Sequence, residues 1–176
     1  AAKRQGPTET CRLIREAALG LAELHARQLI HGDVRPAQLW LTEESHLKML
    51  LDPLQPPTPF VLEAAADPRM MARADYLAPE LARPGRVPDR LGDIYALGCV
   101  FYELLSGRPP FAGGDAADKL QRHARQPIEP LEPLGVPQPV AQIVAYMMAK
   151  NPSVRYQQAG IVAEQLQAFI DPARAN

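Results

Sequence analysis

The side chains able to do chemistry are few and unevenly placed. The 176 residues include four histidines and two cysteines. Cys11 and Cys99 lie far apart, each in an apolar helical context. A disulfide framework or a thiolate metal site is therefore not expected, and both read as buried thiols in a reducing compartment. His25, His46 and His123 show no metal-ligand spacing and read as ordinary surface or edge residues. What remains gathers in two stretches. HGDVRPAQLWL (31–41) brings His31, Asp33, Arg35 and Gln38 together in turn-like sequence. LKMLLDPL (47–54) places Asp52 after an apolar run. A loop carboxylate such as Asp33 has two uses: taking a proton from a substrate hydroxyl, or bonding neighbouring backbone amides. The triplet His31-Gly32-Asp33 does not by itself choose between them.

The elements that must position these residues are mostly helical. Residues 8–28 read as one helix, with Thr8 as N-cap and an apolar stripe at Leu13, Ala17, Leu21 and Leu24. Leu29 and Ile30 follow as a short extended piece. Gln38–Leu41 and Leu47–Leu51 form a small hairpin across the polar turn at 42–46. Residues 52–72 show no sustained period. They hold QPPTP, which suits an extended polyproline-like stretch, and the small-residue run Ala64–Ala66. So long an irregular stretch points to a functional loop. A short helix follows Pro79 at about 78–82. Asp89 then caps a helix over 90–106 that is apolar nearly all round, so it should be central and buried, with Gly107 suited to a left-handed C-terminus. Three further helices are expected at about 115–125, 139–149 and 158–170, within a C-terminal helical region spanning 115–170.

Composition narrows the rest. Apolar residues make up 47% of the chain, enough for a core, so whole-chain disorder is excluded. Nineteen Lys and Arg against twenty Asp and Glu give a net charge of -1. That leaves no global electrostatic case for nucleic acid or an acidic membrane surface. No apolar run has transmembrane length and the first residues do not resemble a signal peptide, so a cytoplasmic setting is expected. The nineteen prolines predict many chain breaks between helices. The first residue is not Met, which suits a piece of a longer polypeptide.

Four ordered blocks carry a resemblance. LHARQLIHGDVRPAQLWL is similar to the catalytic-loop pattern LHxxxIxHRDxKPxNIxL, YLAPE (76–80) to the end of an activation segment, and GDIYALGCVFYELLSGRPPF (92–111) to a central buried helix and its exit. KNPSVRYQQA (150–159) is similar to a final Arg-containing turn. Together they resemble the large, C-terminal lobe of bacterial eukaryotic-type Ser/Thr protein kinases. The implied fold is mainly α, a helical body with one small β-hairpin. The catalytic-loop equivalent is 31–41 and the activation-segment equivalent is 51–80. Nothing resembles a small lobe: no Gly-rich phosphate loop and no phosphate-pairing lysine strand occur, and only about thirty residues precede the catalytic-loop equivalent.

Residue by residue, the resemblance implies a degraded site. Asp33 takes the position of the catalytic base. Arg35 stands where the family has lysine, a bulkier planar cation. Gln38 stands at the metal-binding asparagine, one methylene longer, and Mg²⁺ tolerates little departure from octahedral geometry. Gly32 replaces the arginine that would pair a phosphorylated loop, so no such phosphate switch is expected. The second metal position falls on Leu51, eighteen residues after Asp33; a one-residue insertion in the turn would put Asp52 there instead. Either way the family's Phe and Gly are missing. Trp40 lies at the adenine floor, where it either fills that floor or packs into the lobe. Arg73 lies where a threonine would bond the base, so it can neutralise Asp33 directly. By contrast the fold-keeping positions survive. Tyr76, Pro79 and Glu80 anchor the segment, Glu80 and Arg155 form a buried pair, and Asp93 bonds the catalytic-loop backbone and holds His31.

This asymmetry implies a pseudokinase that works through protein contacts and needs no cofactor. Its partner would be another protein, the small lobe or a second copy, covering the apolar face near Trp40, Leu41 and Leu51. The Pro-rich stretch 53–59 suits either a partner's groove or a stiff surface loop. Thr58 is the sole hydroxyl between Asp52 and Arg73. The alternatives are an active Ser/Thr kinase using ATP and Mg²⁺, with Asp52 and Gln38 as unusual ligands and its small lobe outside this sequence, and a nucleotide sensor that works without metal.

Overall fold

A computed structural model describes residues 6–51, 58, 68–83 and 85–171. The element order is α1 (Pro7–Ala26), β1 (Leu39–Leu41), β2 (Leu47–Met49), α2 (Pro68–Ala74), α3 (Arg90–Ser106), α4 (Ala116–Arg125), α5 (Gln138–Met147) and α6 (Ala159–Ile170). Short 3₁₀ turns join several of them. The fold is mainly α, a kinase-like helical C-lobe body with one two-stranded hairpin.

The body is built around α3. Nearly every residue from Gly92 to Tyr102 is buried, which follows from its apolar sides all round. Its ends carry the expected signals. Asp89 accepts a hydrogen bond from the Gly92 amide at 2.8 Å, and Gly107 adopts φ 85°, a left-handed stop that glycine enters without strain. Helices α1 and α5 flank α3, and α6 lies along α1. Ile14, Leu21, Ile94, Leu97, Leu105, Met147 and Leu166 form the shared core.

Four local readings are corrected. Helix α1 is capped by Gly6 with Pro7 at its first position, not by Thr8. Pro7 lacks the amide that would otherwise be unpaired there. The helix ends at Ala26 rather than 28, because Gln28 turns left-handed at φ 59°. Strand β2 stops at Met49, short of Leu51. Within the stretch read as irregular, Pro68–Ala74 is helical. QPPTP and Ala64–Ala66 lie outside the described residues except for Thr58.

Candidate functional site

The loop between α1 and β1 is fixed from beneath. Asp93, in the first turn of α3 and 2% exposed, accepts hydrogen bonds from the His31 amide (2.9 Å) and the Gly32 amide (2.8 Å). His25 Nε2 lies 2.9 Å from the same carboxylate. A buried carboxylate with three partners is satisfied, and it clamps the loop to the central helix. His31 is buried, and its Nδ1 accepts from the Asp33 amide at 3.3 Å, which leaves the ring proton on Nε2. Burial holds this imidazole below its usual pKa, outweighing the pull of Asp93 and Asp33. Gly32 has φ 71°, where a side chain would be strained.

Asp33 stands at the mouth of this loop with 28% of its side chain exposed. Arg35 Nε donates to Oδ2 at 2.9 Å, and the Gln38 amide reaches the same oxygen at 3.4 Å. Arg73, from the last turn of α2, sets its Nε 3.4 Å from Oδ1. Both oxygens therefore face guanidinium groups. Gln38 closes the 3₁₀ turn Pro36–Gln38, and its carbonyl accepts from the Leu50 amide at 2.8 Å, which ties the turn to the hairpin. The strands pair antiparallel with Trp40 opposite Lys48. Glu16 of α1 accepts from the Leu47 amide at 2.6 Å and holds the hairpin to the body. Trp40 is 63% exposed, so its ring does not pack into the lobe. Leu41, Leu50 and Leu51 are also exposed. Asp52 lies outside the described residues.

The segment after α2 is anchored at several points. The Tyr76 hydroxyl donates to Glu103 at 2.6 Å; burial and that carboxylate push the phenol well above its usual pKa. Pro79 opens the 3₁₀ turn Pro79–Ala82, which carries Glu80. Arg155 donates to both Glu80 oxygens, at 2.6 and 2.7 Å, and to the carbonyls of Ala149 (2.7 Å), Leu91 (3.1 Å) and Lys150 (3.3 Å). Its side chain is fully buried, with the guanidinium 4.7 Å from the Tyr95 ring centre. All its bonding capacity is thus used in the interior.

Sequence reasoning missed a second polar cluster. His123 is not an edge residue: it is completely buried on α4, 2.8 Å from the Tyr95 hydroxyl and edge-on to Phe111. Burial, with Lys150 adding repulsion, pushes its pKa down to about 3. Lys119, one turn earlier, pairs with Asp75 at 2.7 Å. His25, read as peripheral, is a ligand of Asp93. The available signal was helical spacing: Ala116, Lys119, Leu120 and His123 share one face of α4. Both thiols are buried, and burial pushes Cys11 up to about 12 and Cys99 up as well, so neither is reactive. Among the described residues no three His, Cys, Asp or Glu side chains converge to hold a metal ion, and no helix is long and apolar enough to cross a membrane.

Comparison with known proteins adds the following. The family described as "Protein kinase domain" matches residues 3–167. The serine/threonine-protein kinase PknA of Mycobacterium tuberculosis (strain ATCC 25618 / H37Rv) is 31% identical over 163 residues, covering 89% of this chain and 36% of that protein. PknB of Mycolicibacterium smegmatis is 33% identical over 161 residues, 87% of this chain and 25% of its own length. PkaB of Streptomyces coelicolor is 34% identical over 167 residues, 87% and 38% respectively. The chain spans about a quarter to two-fifths of the length of these curated relatives.

Proposed function

The chain belongs to the protein kinase domain family, and from that premise we propose that it is a pseudokinase-type regulatory or scaffolding module acting through protein contacts, with little or no phosphoryl transfer. The observation that carries this is the occupancy of Asp33. A catalytic base must keep a lone pair facing the acceptor hydroxyl. Here Arg35 and Gln38 take one oxygen and Arg73 approaches the other. The metal positions agree. Mg²⁺ requires hard oxygen ligands in near-octahedral array. Gln38 turns its amide nitrogen to Asp33, and Leu51 offers only hydrocarbon. These residues do not fit the ion.

The apolar hairpin face supports contact as the working mode. Trp40, Leu41, Leu50 and Leu51 are each exposed on or beside the hairpin, and a protein partner, a small lobe or a second copy would cover such apolar surface. A cytoplasmic setting belongs to the same proposal. The names of the relatives favour a second reading, a Ser/Thr kinase domain whose Asp52 and Gln38 serve with ATP and Mg²⁺.

The test is transfer of γ-phosphate from ATP by the full-length natural protein, to itself and to a general basic acceptor, alongside Asp33→Asn. Equal, background-level labelling of the two is expected. Labelling that Asp33→Asn abolishes would establish the second reading instead.

A further inference from the structure

We propose that Arg73 is a built-in latch that holds the catalytic-loop equivalent closed without any phosphate. The inference rests on the pseudokinase reading and names its regulation. Arg73 closes α2, and its side chain is 12% exposed. Its guanidinium faces three acceptors at once. Nε lies 3.4 Å from Asp33 Oδ1, and the terminal nitrogen donates to the Gly32 carbonyl (3.3 Å) and the Thr58 carbonyl (3.4 Å). One cation therefore ties together the base position, the loop glycine beside it and a residue fifteen positions earlier in its own segment. The planar guanidinium meets this set from two nitrogens, whereas a lysine would have to reach all three acceptors from one.

Charge placement makes the arrangement a device. The loop side offers no cation at position 32, where Gly32 adopts φ 71°. The cation comes from the segment and meets a carboxylate that the chain itself encodes. A contact between two encoded charges forms without modification, whereas a phosphate-read contact appears only after it. The resting state is then latched, and release requires a competitor for Arg73 or for Asp33. A partner's carboxylate or phosphate would serve for the first, a partner's arginine or lysine for the second.

Hydrogen exchange on the full-length protein tests the latch. Arg73→Ala should speed exchange of peptides covering 31–36 by about tenfold or more, the scale of a lost charge-assisted hydrogen bond. In an Asp33→Asn background the same substitution should add little. Arg73→Lys should recover only part of the protection, since it offers one nitrogen where the guanidinium uses two. Unchanged exchange in Arg73→Ala, or equal acceleration in both backgrounds, would overturn the proposal. The Mg·ATP response of Arg73→Ala separates this idea from the reading beneath it. Faster exchange with no nucleotide response leaves both standing. Faster exchange with a new, metal-dependent response keeps the latch and removes the pseudokinase reading.

Discussion

At the scale of single residues, Arg155 and Asp33 are opposites. Arg155 is fully enclosed and bonds both oxygens of Glu80. Removing it leaves a carboxylate in the interior without its cation, at a cost of about 3–5 kcal/mol. Arg155→Ala should lower the melting temperature by roughly 10 °C at this chain length. Asp33 is partly exposed, and its two guanidinium neighbours reach solvent. Asp33→Ala should cost about 1 kcal/mol or less. Thermal melts of the two variants check the contrast, and equal shifts would contradict it. His123 sets a pH dependence. Its pKa falls from 6.5 when unfolded to about 3 when folded, because burial disfavours the charged ring. The stability it contributes is complete above about pH 6.5 and is lost progressively as pH falls toward 3. His123→Gln, which cannot titrate, should show a flatter decline in urea midpoint across that window than the parent protein. Parallel declines would contradict the assignment.

At the scale of elements, the approach of α3 to α5 depends on one missing side chain. A Cβ at Gly98 would sit 2.8 Å from Met147 Cβ and 2.9 Å from Met148 Cγ. Gly98→Ala should therefore destabilise by about 1–3 kcal/mol through forced separation of the two helices. Gly160, in the first turn of α6, has only Ala22 Cβ nearby, at 3.9 Å. Gly160→Ala should instead stabilise by about 0.5–1 kcal/mol through backbone entropy. Chemical denaturation of both variants gives the signs.

The same elements show what the sequence could and could not disclose. Helix α3 was legible because its signals are local: Asp89 before it, Gly107 after it, apolar residues throughout. The cap of α1 was misread: Pro7 marks the first turn, but a threonine one position later competes as a cap on residue type alone. Helix α2 was hidden because seven residues barely complete two turns and give no period to count. Burial of His123 was hidden because it depends on Tyr95 and Phe111, elements away in sequence. At the site, the type of each residue was readable, and the departures at Gln38 and Leu51 follow from motif order. The bridging of Thr58, Gly32 and Asp33 by Arg73 was not, since it depends on where α2 docks.

At the scale of the whole molecule, the fold is that of a kinase-like large lobe, and the proposal concerns the chemistry that would sit on it. The buried framework of Asp93, Tyr76, Glu80 and Arg155 holds the loop and segment in register. The face that would meet nucleotide offers Trp40, Leu51 and a carboxylate already engaged. In the proposed pseudokinase, this face gives Mg·ATP no electrostatic seat. A ligand that binds only the folded state must raise its stability, by about 2.7 kcal/mol at a hundredfold excess over its dissociation constant. The most direct measurement is the melting temperature of the full-length protein across a millimolar Mg·ATP titration, repeated with chelator. The account predicts no metal-dependent rise; an increase of several degrees that vanishes when magnesium is removed would contradict it.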